Sequence, residues 1–244
     1  MWLTGRLIRV ADVTAVERDE MFSLMARFYD NVDRKSFEID LQEKDWVILL
    51  RDPVERVVRG FSTQMLLRLT VGGRPVRALF SGDTIVHRDY WGQHPLSSIW
   101  GKFVISLIYE HDDDPLFWFL TTKGYKTYRF LPIFFREFYP RHDAVTPDWA
   151  RDLIDSLAAH KYPDAYEMGS GMLSWGDRGC CLADGVAQIT DRRFHDPHIR
   201  FFAQENPGHA HGDELCCVAH LTRANFTSSA YRVIGSMPSI ASVT

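Results

Sequence analysis

The segment RALFSGDTIVHRDYWGQHPLSSIWGKFVISL, residues 77–107, decides the fold. Its first ten residues predict a strand, and Gly82 within them marks a bulge or the close approach of a ligand. A polar loop rich in turn residues follows over residues 87–94. From Pro95, which suits the first position of a helix, apolar residues recur at helical spacing and predict a helix to Leu107. The segment is therefore a strand, a loop and a helix.

The start of this predicted helix is a candidate anion site. Backbone N–H groups in the first turn of a helix lack intrahelical partners, so they favour an anionic group such as a pyrophosphate. Strand-loop-helix units also occur with nothing bound at the turn, so the local pattern leaves phosphate binding as a hypothesis.

The run IVHRDYWGQHPLSSIW, residues 85–100, resembles the acyl-CoA loop of the GNAT N-acetyltransferase superfamily. In that superfamily an apolar strand end leads into a tyrosine, arginine, glycine, glutamine, glycine run and then a helix. The residues that match are Tyr90, Gly92 and Gln93. Trp91 stands in place of the arginine, His94 in place of the second glycine and Leu96 in place of the third. The loop thus lacks one cation and two residues that let backbone approach a phosphate closely.

The resemblance implies an α/β (α+β) fold with a mixed, mostly antiparallel sheet flanked by helices. It implies a GNAT-like acyltransferase core over residues 1–140 and a C-terminal extension, 141–244, that completes the sheet or the acceptor pocket. The implied activity moves an acyl group from an acyl-coenzyme A or acyl carrier protein thioester to a small-molecule amine. The altered loop leaves acyl carrier protein open as a partner, and no metal is expected.

The resemblance also places the donor thioester against the loop and the first turn of the helix. The expected donor-binding residues are Ile85, Val86, His87, Tyr90, Trp91, Gly92, Gln93, His94, Leu96 and Ser97. Backbone N–H groups of residues 85–87 would polarise the thioester carbonyl, a role that any side chain at those positions permits.

Acyl transfer to an amine needs a base for the amine proton and an acid for the departing thiolate. Asp83 lies where relatives often place a carboxylate base, although burial would have to raise its pKa from the ordinary value of about 4. The alternative is that Asp83 only braces the bulge at Gly82. Tyr128, with Tyr125 close behind, matches a tyrosine that protonates the thiolate in the superfamily. An equally good interpretation is that both tyrosines are only core or helix-surface residues.

Histidines near the C-terminus support a competing hypothesis of a metal-dependent enzyme. The candidate ligands are His195, His198, His209 and His211, with Asp213 nearby. Alternation along a strand would place His209 and His211 on one face, where they suit zinc or iron. The sequence lacks an HExxH helix, and the turn at residues 206–208 favours a loop, so these histidines are expected to line the acceptor pocket instead. A non-catalytic acyl-ligand-binding relative is a third interpretation.

The composition of the chain limits which classes of protein it can belong to. With 244 residues, 45% hydrophobic and 25% charged, the chain has the composition of a soluble globular protein. A net charge of −4 gives no general attraction to nucleic acid or anionic membranes. The N-terminus lacks the apolar core of a signal peptide and no run reaches membrane-spanning length, so a cytoplasmic protein is expected. Its four cysteines, in two adjacent pairs, lack zinc-knuckle spacing.

Periodicity and turn residues outline the other elements. The predicted strands cover residues 7–10, 46–50, 57–71, 76–86, 116–120, 185–189, 200–203 and 214–221. The predicted helices run from a cap at Asp12 or Thr14 to about Val32, over 95–107, over 124–138 with a kink or end at Pro132, and over 147–160 with Thr146 as cap. Gly72 and Gly73 predict a hairpin, and residues 31–45 a loop or short helix.

Overall fold

A computed structural model describes residues 2–110, 114–176 and 179–235 of the chain. The strands are β1 (Thr4–Arg9), β2 (Tyr29–Asp30), β3 (Trp46–Arg51), β4 (Val58–Val71), β5 (Arg74–Val86), β6 (Leu116–Thr122), β7 (Met172–Leu173), β8 (Cys181–Leu182) and β9 (Glu214–His220). The helices are α1 (Ala15–Met25), α2 (Arg34–Glu43), α3 (Pro95–Glu110), α4 (Tyr125–Tyr128), α5 (Phe130–Phe134), α6 (Asp148–Lys161), α7 (Asp191–Phe194), α8 (Pro197–Glu205) and α9 (Ser228–Gly235).

Seven strands form one mixed sheet in the order β1-β3-β4-β5-β6-β9-β7. Every neighbouring pair is antiparallel except β5 and β6, which are parallel. Strands β2 and β8 form a separate antiparallel pair. The predicted sheet class, mixed and mostly antiparallel with flanking helices, is confirmed. Residues 141–244 contribute β7 and β9 to this sheet, beside the strands of residues 1–140.

The parallel pair separates part-way along its length. Pairing begins at Arg77 with Leu116 and ends at Ser81 with Leu120, while β5 continues for five more residues beside β4 only. At the same place β5 bulges toward β4, because Gly82 and Asp83 together oppose only Thr63. The bulge predicted at Gly82 is confirmed. The sheet therefore splays open beyond Ser81, with Asp83 at the opening.

Alternation of side chains along the strands builds a core on each face of the sheet. Trp118 and Leu120 pack with α3, α5 and α9 on one face, whereas Phe117 and Phe119 pack with α6 on the other. Helices α1 and α2 cover the same face as α6 but lie over β3 and the end of β5. No helix in the described ranges combines the length and apolar character needed to cross a membrane.

Helix α1 begins as predicted but ends early. Thr14 and Glu17 form a reciprocal capping box at its start. The prediction that this helix continues to Val32 is wrong, because it ends at Met25 and the chain turns into β2. Asn31 then adopts a φ of 58°, a left-handed conformation that no helix contains. Residues 34–43 form α2, so the short-helix alternative for residues 31–45 is the correct one.

The predicted helix over residues 124–138 is two short helices, α4 and α5. The break at Arg129 lies three residues before Pro132, whose ring excludes the carbonyl of Tyr128 from a regular helical turn. Helix α6 is confirmed, although its N-cap is Pro147 rather than Thr146. Gly72 and Gly73, with φ values of 56° and 79°, form the predicted hairpin turn.

The last third of the chain departs most from its predicted strands. Residues 200–203 lie in helix α8, where the Asp196 carboxylate accepts N–H groups of His198 and Ile199 and Pro197 occupies the first turn. Residues 185–189 are outside any strand. Only the strand predicted at 214–221 is confirmed, as β9.

Candidate active site

The splay between β5 and β6 opens into two connected spaces, one on each side of the strand ends. The first is a cleft of about 240 Å³ between the end of β5, the loop after it, the start of α3 and helix α4. We name it the loop cleft. Eight of the ten predicted donor-binding residues line it: Ile85, Val86, Tyr90, Trp91, Gly92, Gln93, Leu96 and Ser97. His87 and His94 are not among its lining residues.

The loop that borders this cleft is held by hydrogen bonds to distant segments. The Tyr90 hydroxyl donates to the Asp52 carboxylate at 2.6 Å, and the Gln93 side-chain oxygen accepts the Leu3 N–H at 2.9 Å. Trp91 Nε1 donates to the carbonyl of Val86 at 2.7 Å. Gly92 has a φ of 92°, which a side chain would strain. The first turn of α3 is thereby fixed at the edge of the cleft.

Three cations lie near one another, and one of them, Lys126, lines the loop cleft. Lys126 Nζ lies 3.6 Å from the ring centroid of Trp91, and the Arg88 guanidinium lies 5.9 Å from it. Arg193 is hydrogen-bonded to the hydroxyl of Tyr125, one residue before Lys126. Burial, together with the charges of Arg193 and Arg88, lowers the pKa of Lys126. Within the described ranges, none of the three has a carboxylate within 4.0 Å, so together they favour an anion.

The second space, which we name the carboxylate cavity, has a volume of about 330 Å³. Its lining residues come from most of the chain and include Tyr29, Asp33, Asp40, Asp83, Thr121, Lys123, Tyr162, Trp175, Cys180 and Glu214. Thr84, Gly124 and Thr127 line this cavity and the loop cleft alike. The two spaces therefore meet beside the bulge of β5.

Asp83 is the carboxylate at that meeting point. Burial raises its pKa to about 6, and the nearby charge of Asp40 adds to the rise. Among the described residues no side chain pairs with Asp83 within 4.0 Å, whereas Asp40 forms an ion pair with Lys44. Asp83 is thus available to take a proton near neutral pH.

A buried ion pair braces the opposite wall of the carboxylate cavity. Lys123 Nζ lies 2.7 Å from Glu214 Oε1, and the two side chains are 14% and 10% exposed. Thr121 and Trp175 also donate to the Glu214 carboxylate, at 2.6 and 3.0 Å. Burial alone would lower the pKa of Lys123, but the Glu214 carboxylate raises it overall, so this lysine is charged.

No protein-family model matches the chain, and no curated protein matches it. Solved structures that it resembles include a GNAT family N-acetyltransferase from Escherichia coli in complex with CoA, at 14% identity and TM-score 0.37 over 50% of this chain and 64% of that one. A probable N-acyltransferase from Enterococcus faecalis matches at 16% identity and TM-score 0.41, over 65% and 43%. Saccharomyces cerevisiae N-myristoyltransferase with bound myristoyl-CoA matches at 14% and 0.39, over 70% and 41%.

Because these scores lie below 0.5, the fold assignment rests on the strand order of the chain itself. An antiparallel meander runs into a parallel pair that splays, and a loop and helix leave the splayed strand at its open end. The resemblance of residues 85–100 implied the mixed, mostly antiparallel sheet with flanking helices and the strand, loop and helix. The fold is GNAT-like.

Tyr125 and Tyr128, the predicted acids of this GNAT-like fold, lie in α4 and are buried. The Tyr128 hydroxyl donates to the carbonyl of Pro140 at 3.0 Å, and burial raises the pKa of this phenol. The Tyr125 hydroxyl interacts with Arg193. Neither tyrosine lines the loop cleft or the carboxylate cavity, whereas Thr127 between them lines both. The acid role of the tyrosines stays a prediction.

The four C-terminal histidines do not come together. His198 stacks edge-on against His142, with ring centroids 4.5 Å apart, while His209 packs against Phe202. His209 and His211 lie in a single 3₁₀ turn and not in a strand, so the alternation that would have placed them on one face does not apply. No group of three or more potential metal ligands was found in the described ranges. None of the four lines the carboxylate cavity or the loop cleft, and their acceptor-pocket role stays a prediction.

Sequence reasoning missed Lys123, Glu214 and Lys126. The signal for the two lysines was local, because TTKGYK follows a buried strand and polar residues at a strand end often border a site. Glu214 had no such signal. It begins β9, and only the antiparallel pairing of β9 with β6 brings it beside Lys123.

Proposed function

We propose that the protein is an N-acyltransferase that moves an acyl group from a phosphopantetheine thioester to an amine. The observation that carries this proposal is the meeting of two spaces at the splay of the sheet. One space offers a helix N-terminus and unpaired cations, and the other offers a carboxylate poised to accept a proton. A donor and an acceptor could each enter from its own side and react where the spaces meet.

On the donor side, Arg88, Lys126 and Arg193 would bind a phosphate of the donor together with the first turn of α3. The loop lacks the arginine of the resembling motif because Trp91 occupies that position. Lys126 of helix α4 lies over the Trp91 ring and so places a positive charge beside the position of the missing arginine. Coenzyme A and a carrier protein share the phosphopantetheine phosphate, so this chemistry suits either donor.

On the acceptor side, Asp83 would remove a proton from the ammonium or amine in the carboxylate cavity. The amine nitrogen then forms a bond to the thioester carbonyl carbon while the C–S bond breaks. Backbone N–H groups at the open end of β5 would stabilise the charge that develops on the carbonyl oxygen. Thr127, which borders both spaces, would donate a hydrogen bond to the leaving sulfur, and water would supply the proton that completes the thiol.

The test is release of free thiol by the full-length protein, measured with a thiol-reactive dye. Acetyl-CoA and acetylated acyl carrier protein would each be offered with a panel of primary amines, with amine-free reactions as controls. Amine-dependent thiol release with either donor supports the proposal, and the ratio of the two rates identifies the donor. Binding of both donors without thiol release with any amine would instead indicate a non-catalytic ligand-binding protein.

A further inference from the structure

A third cavity, which we name the inner cavity, lies under helix α3 and opens where the other two spaces meet. Its volume is about 30 Å³, and Thr84 and Thr127 line it as they line both larger spaces. Rings form most of its far wall, chiefly Trp100, Trp118, Phe130 and Phe134. An apolar group that enters from the reaction point is therefore stopped by aromatic side chains.

Hydrogen bonds fix the two indoles of this wall. Trp100 Nε1 donates to Gln64 Oε1 at 3.2 Å, and Ser81 donates to the same oxygen at 2.7 Å. Trp118 Nε1 donates to the Ser81 hydroxyl at 2.9 Å. The Trp100 and Trp118 rings lie 4.6 Å apart, and Gln64 is fully buried. Rotating the Trp100 indole would leave its buried N–H without this acceptor, which is costly.

A fourth cavity of about 10 Å³ lies behind Trp100. Trp100, Phe134 and Ser97 line both this space and the inner cavity, and the far side is formed by Ala230 and Val233 of helix α9. The Trp100 ring is thus part of the partition between the two. Without the indole, the apolar space would run from the reaction point to α9.

We infer that Trp100 sets the maximum length of the transferred acyl group, an inference that rests on the proposed function. By the same measure of volume, one water-sized group needs about 10–15 Å³, so the inner cavity holds about two such groups. A methylene or methyl group is close to that size. The inner cavity therefore accepts an acyl group of about two to four carbons, and Trp100 excludes longer chains.

Unreactive S-alkyl thioethers of coenzyme A test this without knowledge of the amine. Calorimetry would measure the affinity of coenzyme A and its S-methyl, S-propyl, S-hexyl and S-decyl thioethers for the full-length protein. Each buried methylene should raise affinity about fourfold. For the wild type, affinity should rise to S-propyl and then fall about tenfold or more at S-hexyl, because a chain that cannot enter must be held in water or distort the wall.

Trp100→Leu removes the partition and keeps an apolar side chain in the helix. This variant should bind S-hexyl-CoA about tenfold more tightly than the wild type does, with little change for S-methyl-CoA. Trp149→Leu is the matched control, because that indole lies on α6 and is 45% exposed away from all four cavities. It should keep the wild-type profile. If Trp100→Leu does not fold, Trp100→Phe should give a smaller shift in the same direction.

Two results would overturn the inference. One is tighter binding of S-decyl-CoA than of S-propyl-CoA by the wild type, and the other is an unchanged chain-length profile in folded Trp100 variants. Both differ from a failure of the proposed function, which would appear as binding of the donors without amine-dependent thiol release.

Discussion

The loop cleft and the carboxylate cavity share a border but are assembled differently. One continuous segment, residues 84–97, supplies half of the residues that line the loop cleft, and the others come from residues 28–29, 124–130 and 182–187. The carboxylate cavity draws on short pieces spread from Met25 to Glu214. When one segment supplies much of the lining, those contacts to a ligand can persist while the rest of the sequence changes. When many segments supply the lining, single substitutions in any of them can change which ligand is bound. The two spaces should therefore respond separately to substitution.

The largest expected effect lies in the carboxylate cavity. Asp83→Asn should lower turnover about 10²–10⁴-fold, the usual contribution of a general base, while donor affinity stays unchanged. A base works in its ionised form, so wild-type kcat/KM should be level above pH 7 and fall as pH drops below about 6. The variant should lose this limb of the profile. Asp152→Asn, at an exposed position on α6, is the control.

An Asp83→Asn variant with wild-type turnover across that pH range would exclude the aspartate as base. A parallel loss of donor affinity would show that the two spaces do not act separately.

A second test concerns the pair that braces the cavity. Lys123→Met should reduce the free energy of unfolding by about 3 kcal/mol, because it leaves the buried Glu214 carboxylate without its cation. Chemical denaturation at pH 7 would measure this change. Lys35→Met, at an exposed position on α2, should change stability by less than about 0.5 kcal/mol. A Lys123 variant as stable as this control would show that Thr121 and Trp175 suffice to hold Glu214.

The third test moves to the loop cleft. Lys126→Ala should weaken coenzyme A binding about tenfold, since a hydrogen bond from a charged donor to a phosphate is lost. The residual binding should also depend less on salt concentration. Titration at two ionic strengths would measure both effects. Arg68→Ala, an exposed cation on β4, should change neither, and the pH profile of turnover should be the same in all three proteins.

The smallest effect separates loop geometry from general stability. Gly92→Val should weaken coenzyme A binding about fivefold, because a β-branched residue at a φ of 92° is strained by about 1–2 kcal/mol and would shift the loop. A Cβ at Gly92 meets no atom within 4 Å, and the same holds for Gly73 in the distant hairpin. Gly73→Val should therefore cost similar stability without any loss of affinity. Equal affinities in the two variants would remove the loop from the donor site.

The difference between the loop cleft and the carboxylate cavity also explains which features could be predicted from sequence. Residues 77–107 carry their own turn residues and periodicity, so the strand, the bulge, the loop and helix α3 were all predictable. Eight of the ten residues predicted from their position to bind the donor line the loop cleft. These features follow from the local conformational preferences of the sequence, and the tertiary packing is consistent with those preferences.

The carboxylate cavity could not be predicted in this way. The Lys123–Glu214 pair joins residues 91 positions apart, and β9 must first register against β6 to form it. In the last third of the chain, residues 200–203 read as a strand by composition but became helix α8 because Asp196 and Pro197 start one. The histidines are close in sequence, which suggested a ligand cluster. In the structure, however, His198 on α8 packs against His142, whereas His209 in the 3₁₀ turn packs against Phe202.

Strand β9 has a further consequence for how the protein matures. It lies between β6 and the edge strand β7, so the strand that pairs with β6 on this side is the last of the sheet in chain order. During synthesis, about one hundred residues are added after β6 before its partner β9 is made, so the edge of β6, which carries Phe117 and Phe119, stays unpaired for that time. At usual elongation rates of about 5–20 residues per second, that interval lasts about 5–20 s. An exposed, apolar strand edge of this kind is a template for aggregation until β9 pairs with it.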